Sequence, residues 1–184
     1  FFMTGKWVEF SYHKIRDEGS VLKTSGGRAP GHIPLRKALE RVRKILLAAQ
    51  GRKLRPIEVH DILCHYSIAV LSGGIRRSAM IALFSPEDTE MLYAKTRGVY
   101  GERPDGLKNQ RQVANNSAVF LRGSVDEVMF RRVLRVAREN FGDPGFIFVN
   151  DLDHGTNPCG EIGLYPVLWE ECNHCKGTGK LGSC

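Results

Sequence analysis

The sequence predicts an α/β fold in which parallel strands alternate with helices. Three short runs, Ala79–Leu83, Ala118–Leu121 and Phe146–Val149, are apolar without polar alternation. That is the pattern of strands buried on both faces of a parallel sheet, not of a one-faced antiparallel sheet. Before and between them, apolar residues recur at spacings of three and four, the repeat of one helix face. At 184 residues the chain is long enough for one domain with a real core.

The elements follow in order. Leu35, Ala38, Leu39, Val42, Ile45, Leu46 and Ala49 predict a first amphipathic helix, with Gly51 as its C-terminal stop. Pro56 sits where a second helix would open, its inner side carrying Ile57, Ile62, Leu63, Tyr66, Ala69 and Val70 and its end marked by Gly73-Gly74. Cys64, on the inner half of that helix, reads as core. Ser85-Pro86-Glu87 signals a third, short helix through a cap, a first-turn proline and an early acid. Ser124 with Glu127 three residues on is a capping box for a fourth, with Val128, Val133, Leu134 and Ala137 facing inward. No internal repeat or low-complexity segment interrupts this series.

A hydrophobic content of 42% and a charged content of 26% place the chain among ordinary globular proteins. No apolar run approaches the roughly 18 residues of a membrane helix. Phe1–Lys6 lacks the basic start and apolar centre of a secretory signal. The five cysteines, an odd number without such a signal, suit a reducing compartment and chemical or metal roles over a disulfide framework. The expected location is cytoplasmic. The chain opens on Phe1 without an initiator methionine and closes on Cys184, so both ends read as cuts through something larger.

The net charge of +7 suits a polyanionic partner, either nucleic acid or the phosphates of a nucleotide. Much of it lies in Arg36, Lys37, Arg41, Arg43 and Lys44, in Arg52, Lys53 and Arg55, and in Arg131, Arg132, Arg135 and Arg138. The runs on predicted helices read first as solvated faces. Two glycine segments could cradle phosphate with backbone N–H groups: Lys23–Gly31, containing Gly26, Gly27 and Arg28, and Gly73–Ser78, containing Gly74, Arg76, Arg77 and Ser78. Neither has the frame of a P-loop or of a dinucleotide fingerprint, and each alone could be a mere turn.

The stretch Thr156-Asn157-Pro158-Cys159-Gly160-Glu161-Ile162 alternates an amide, a thiol and a carboxylate. In extended backbone, residues i, i+2 and i+4 project to the same side, so Asn157, Cys159 and Glu161 would face one point. Asn-Pro and Gly are also turn residues, and a free cysteine is commonly a small buried hydrophobe. Spacing alone leaves both readings open.

Together, these motifs resemble a family. TNPCGEI, with LKTSGGRAPG before the first helix, SGGIRRSAMIAL after the second, ANNSAV, and DPGFIFVND leading into the cysteine segment, looks like the catalytic subunit of ribonucleotide reductase. The spacing of SGGRAPG and GGIRRSA is most similar to the adenosylcobalamin-dependent class. The resemblance runs from about Val8 to Ile162 and implies an internal fragment of a longer chain. It implies part of a ten-stranded α/β barrel, with the cysteine loop as a finger through its centre. On that reading residues 1–167 belong to the catalytic barrel, and 168–184 form a Cys/Gly-rich segment that is an insertion or a zinc knuckle.

The resemblance also implies roles. Cys159 matches the cysteine that becomes a thiyl radical, Glu161 the carboxylate that takes the 3′-hydroxyl proton, and Asn157 the amide that orients the ribose hydroxyls. Gly74, Arg76, Arg77 and Ser78 match the loop between an allosteric nucleotide and the substrate base, and Gly26, Gly27 and Arg28 match the neighbouring loop. Asn115, Asn116 and Ser117 fall in a motif near the substrate. The implied cofactor is adenosylcobalamin. The implied partners are a ribonucleotide, a deoxynucleotide or ATP effector and a thioredoxin-like dithiol, with no membrane and no nucleic acid.

The family also uses two cysteines that reduce the substrate by becoming a disulfide. The upstream one has no counterpart before Val8. The downstream one matches Cys184, which follows Gly182-Ser183, better than Cys172. Cys172–Gly179 reads C-x-x-C-x-G-x-G, similar to one repeat of a zinc-binding chaperone region. Cys172 and Cys175, with Cys184 or His174, could supply three or four ligands to zinc. From a different class comes a basic nucleic-acid-binding module with a zinc knuckle. It accounts for the charge, but it leaves TNPCGEI unexplained and lacks aromatic residues interleaved with the basic runs.

Overall fold

The computed structural model describes residues 5–23, 27–70, 78–96, 110–140, 142–153, 155–156 and 163–164. Among these, α1 (Ile33–Ala48) and α2 (Pro56–Ala69) pack against each other ahead of a three-stranded sheet. The sheet is built from β1 (Met80–Phe84), β2 (Ala114–Leu121) and β3 (Gly145–Val149), ordered β1-β2-β3 with both pairs parallel. The short α3 (Thr89–Leu92) lies between β1 and β2, and α4 (Glu127–Glu139) between β2 and β3. The parallel α/β expectation therefore holds, and all three apolar runs are strands.

Local chemistry explains the boundaries. Pro34 stands in the first turn of α1, and Gly51 beyond its end has φ +85°, the left-handed geometry that glycine adopts without penalty. Pro56 opens α2, and the Arg55 N–H donates to Glu58 Oε2 at 2.9 Å, half of a capping box. Ser85-Pro86-Glu87 is a turn, with the Glu87 N–H donating to Ser85 Oγ; the cap of α3 is Asp88, whose carboxylate accepts from Met91 N at 3.0 Å. The cap of α4 is likewise Asp126 and not Ser124, since Asp126 Oδ1 accepts from Val128 N at 2.7 Å and Met129 N at 3.3 Å. In both cases a carboxylate close to the helix N-terminus displaced the expected hydroxyl cap.

Sheet register decides which side chains meet the helices. In a parallel pair, opposed residues share a face, so Ala82, Phe84, Asn116, Ala118, Phe120, Phe146 and Phe148 line one side. The core is on that side. Phe84, Ala118 and Phe120 cluster with Ile57 of α2, Met91 and Leu92 of α3, and Val133 and Val136 of α4. Phe130 of α4 meets Phe120 edge-on and tilts against Phe146 and Phe148, at centroid separations of 5.3–6.2 Å. Each aromatic pair of this kind contributes about 0.5–1.5 kcal/mol beyond its buried area. Thus α2, α3 and α4 all cover the same face; for α3 and α4, which lie between successive parallel strands stepping in one direction, that is the expected placement for crossovers of one hand.

Two expectations about helix faces are corrected. Ile57 and Cys64 are buried as expected, but α2 turns His60 and His65 inward as well, leaving Leu63 50%, Tyr66 37% and Val70 57% exposed. On α4, Val133 and Ala137 are buried, whereas Val128 is 78% and Leu134 47% exposed. In each helix the apolar stripe was wider than the surface available to receive it, and specific polar contacts on α2 chose the rotation.

Candidate active site

The cysteine segment follows the carboxyl end of β3. Asp153 N donates to Asp151 Oδ1 at 3.0 Å in the turn beyond it. Next, β4 (Gly155–Thr156) pairs antiparallel with β5 (Gly163–Leu164), Gly155 opposite Leu164 and Thr156 opposite Gly163. Asn157, Cys159 and Glu161 lie outside the described residues. The ladder fixes their base: the chain enters and leaves residues 157–162 side by side, downstream of a parallel strand's carboxyl end, where ligands gather in such sheets.

Asn115, Asn116 and Ser117 are all on β2 but do not act as one group. Asn116 points to the helix layer and is 2% exposed. Its Oδ1 lies 3.0 Å from Nε2 of His60, itself 5% exposed. A carboxamide oxygen only accepts, so His60 carries its proton on Nε2 and leaves Nδ1 as an acceptor. Cys64 Sγ lies 3.7 Å from that Nδ1 and 3.9 Å from Nε2, so the sulfur packs against the ring and singles out neither nitrogen. Burial lowers the His60 pKa and pushes the Cys64 thiol up to about 12, so the pair is a neutral imidazole and a neutral thiol. Asn116 Nδ2 is buried without a hydrogen-bond partner among the described residues.

Asn115 and Ser117 have the opposite parity on the strand. Asn115 is exposed. Ser117 is 9% exposed, and its Oγ would stand 3.0 Å from a Cβ placed on Gly145 of the neighbouring strand. The absence of a side chain at Gly145 is what admits the hydroxyl.

One helical position beyond His60, Asp61 forms a second tie. Arg111, just before β2, presents Nε to Asp61 Oδ1 at 2.6 Å and Nη2 to Oδ2 at 2.7 Å, and its Nη1 donates to the Ala94 carbonyl at 2.9 Å. Gln110 Nε2 adds a donor to Asp61 Oδ1 at 2.9 Å. This fork-to-fork geometry is the strongest form of ion pair. His60, Asp61 and Arg111 escaped sequence reasoning. The signal available was polar side chains in a helix otherwise apolar on every side, but their partners lie about 50 residues away.

The glycine segments are partly described. Gly74, Arg76 and Arg77 lie outside the described residues, as does Gly26. Ser78 Oγ donates to the Ser67 carbonyl at 3.0 Å and also meets Ser67 Oγ, so the chain re-emerging at Ser78 is fastened to the last turns of α2. In the earlier segment, Leu22 N donates to Gly27 O and Ala29 N to Ser20 O, both at 2.8 Å, closing a small hairpin. Arg28 there donates from Nη1 to the Gly19 carbonyl at 2.9 Å.

Cys64 is core, as expected. Cys172, Cys175 and Cys184, and with them the proposed zinc ligands and the downstream redox cysteine, lie outside the described residues; among the described ones no cluster of His, Cys, Asp or Glu could hold a metal. Several members of the basic runs are engaged locally. Arg36 pairs with Glu40, Arg131 with Glu127, and Arg52 with Glu58, while Arg43 lies over Trp7 and Arg132 over Tyr93. That favours solvated helix faces over a nucleic-acid surface. No helix among the described residues is long and apolar enough to cross a membrane.

No family model matches the chain, and no solved structure matches it significantly. Curated proteins do. The chain is 32% identical over 145 residues, 79% of its length, to an adenosylcobalamin-dependent ribonucleoside-triphosphate reductase of Euglena gracilis. It is 31% identical over 178 residues, 86% of its length, to the protein of the same name from Lactobacillus leichmannii. The relatives are ribonucleotide reductases. Over most of its own length the chain is therefore homologous to part of an adenosylcobalamin-dependent ribonucleotide reductase, in agreement with the motifs. It spans only about a fifth of these reductases, 19% and 22% respectively.

Proposed function

We propose that the chain is an internal portion of the catalytic barrel of an adenosylcobalamin-dependent ribonucleotide reductase, which converts ribonucleoside phosphates to deoxyribonucleotides. The observation that carries this is the homology across 79–86% of the chain. The fold is compatible with it. Three parallel strands in sequential order, with α2, α3 and α4 on one face, have the arrangement of a barrel wall, whereas a doubly wound sheet would carry helices on both faces.

The chemistry follows from the residues between β4 and β5 in the sequence. Cys159, as a neutral thiol, gives up its sulfur-bound hydrogen atom and takes one from the ribose 3′ carbon, then returns it at the end of the cycle. Glu161 accepts the 3′-hydroxyl proton, which needs a carboxylate within hydrogen-bond reach of that oxygen. Asn157 holds the ribose hydroxyls. When bound, adenosylcobalamin supplies a carbon-centred radical by homolysis of its cobalt–carbon bond. The fit of this chain to that group rests on the thiol, whose S–H bond exchanges a hydrogen atom with a carbon radical. Gly74, Arg76, Arg77 and Ser78, with Gly26, Gly27 and Arg28, serve the substrate base and an effector nucleotide. A dithiol protein regenerates the reducing cysteines, with Cys184 ahead of Cys172 as the downstream member.

The test is deoxynucleotide formation by the full-length protein from ribonucleotide, dithiol and adenosylcobalamin, with and without Cys159→Ser. Cofactor-dependent product that vanishes in the variant is expected. Product that requires a separate metal-radical subunit would overturn the cofactor assignment, and no product under either condition would overturn the reductase reading.

A further inference from the structure

We propose that within Asn115-Asn116-Ser117 the nucleotide-facing groups are Asn115 and Ser117, and that His60 is a positioning residue that sets this by holding the Asn116 amide on the helix side of β2. The inference rests on the reductase reading for the identity of the ligand, a ribonucleoside phosphate, but its geometry is independent of it.

Strand parity places Asn115 and Ser117 on the face that α2, α3 and α4 do not cover. That face is otherwise apolar, with Ile81, Leu83, Val119 and Ile147 half-buried on it. An exposed carboxamide and a hydroxyl lodged against a glycine are the two polar groups β2 offers there. They can supply the donors and acceptors that a sugar hydroxyl or phosphate oxygen requires, in an apolar surround that strengthens each bond.

Asn116 cannot join them without a slip of the strand by one residue, which would move every side chain of β2 to the other face. The sequence of β2 does little to forbid such a slip at its amino end, since Asn115 and Asn116 are chemically identical. The discrimination comes from His60. Its Nε2–H reaches Asn116 Oδ1 at 3.0 Å in a site closed to water. A leucine at either position would avoid the desolvation penalty of two buried polar groups and of an Nδ2 that has no partner among the described residues. What the pair supplies that leucine would not is direction: one hydrogen bond satisfied in a single register. Asp61, next to His60, grips Arg111 ahead of the strand, so β2 is fixed along its axis as well as about it.

The experiment is a double-mutant cycle on ribonucleotide affinity in the full-length protein, measured by equilibrium binding of the ribonucleoside triphosphate. Asn115→Ala and Ser117→Ala should each weaken binding roughly tenfold, the loss of one good hydrogen bond, without lowering the unfolding midpoint. His60→Leu should weaken binding by a similar factor, and adding Asn115→Ala should cost little more, because both changes remove the same contact. His60→Gln, whose amide nitrogen can occupy the place of Nε2, should restore affinity. Additive effects of His60→Leu and Asn115→Ala would overturn the positioning role. Unchanged affinity in Asn115→Ala and Ser117→Ala, with a loss in Asn116→Ala that His60→Gln does not share, would overturn the assignment of faces. The lock is also read without ligand. Nitrogen-15 spectra of the imidazole should show His60 as the Nε2–H tautomer at neutral pH, and the Nδ1–H tautomer would overturn it. If the lock is present by that measure and no ribonucleotide binds, the reductase reading has failed and the geometry has not.

Discussion

Gly31 shows how one residue can fix a turn. Its φ is +71°, and a Cβ there would stand 3.1 Å from Glu18 Cβ and 3.2 Å from Glu18 N. Gly31→Ala therefore combines left-handed strain with a backbone clash. It should cost about 1–3 kcal/mol in the unfolding free energy of the full-length protein, measured by urea titration. Gly51→Ala, with comparable φ but nothing within 4 Å, should cost about 1 kcal/mol from strain alone. At the same scale, Asp126→Ala removes both capping bonds of α4 and should cost about 1 kcal/mol, whereas Ser124→Ala should be nearly silent. The reverse order would restore the sequence-based cap.

At the scale of elements, α2 is the hub. Its amino end is held by Glu58, which accepts from Arg52 at 2.6 and 2.7 Å and from the Arg55 backbone; its middle by His60 and Asp61; and its last turns by Ser78. Breaking one side of the Asp61–Arg111 pair removes the opposite charge from a nearly buried ion. Arg111→Leu should destabilise the full-length protein by about 3–5 kcal/mol, and the double variant Asp61→Leu/Arg111→Leu by markedly less. Equal losses in the two variants would show that the guanidinium acts through its Ala94 contact instead. The strands of this hub were legible in the sequence because unbroken apolar runs have few other uses. The rotation of α2 was not, because a helix apolar all round has no preferred face until partners are present.

For the whole molecule, acid should weaken the fold in two stages. Burial lowers the His60 pKa, and the Arg52 guanidinium beside Glu58 holds that carboxyl well below the usual carboxylate range. Both groups therefore bind protons more readily in the unfolded chain, so stability falls as pH falls. The His60 contribution starts to go below its unfolded value of about 6.5, and the Glu58 contribution below about 4.3. Urea midpoints of the full-length protein between pH 7.5 and 3 should show both limbs, with His60→Gln removing the upper one only. Both outer strands of the sheet also have open edges in these residues; exposed Val59 and Leu63 line a groove with β1, and exposed Phe148 lies on β3. Such edges and patches invite association. The 184-residue chain alone should self-associate in light scattering and bind a hydrophobic dye more strongly, per mole, than the full-length protein.

By itself, the sequence determined the α/β class, the parallel strands, the position of Cys64 in the core and the kinship to a reductase, because each is written in short-range periodicity or in a motif. Tertiary structure alone decided the faces. Two adjacent asparagines are indistinguishable in a sequence, yet one is buried against His60 and the other is exposed on the opposite side. Asp61 and Arg111 meet across 50 residues, a pairing with no local trace. Side-chain direction depends on register and helix rotation, and these are set by contacts between elements, not within them.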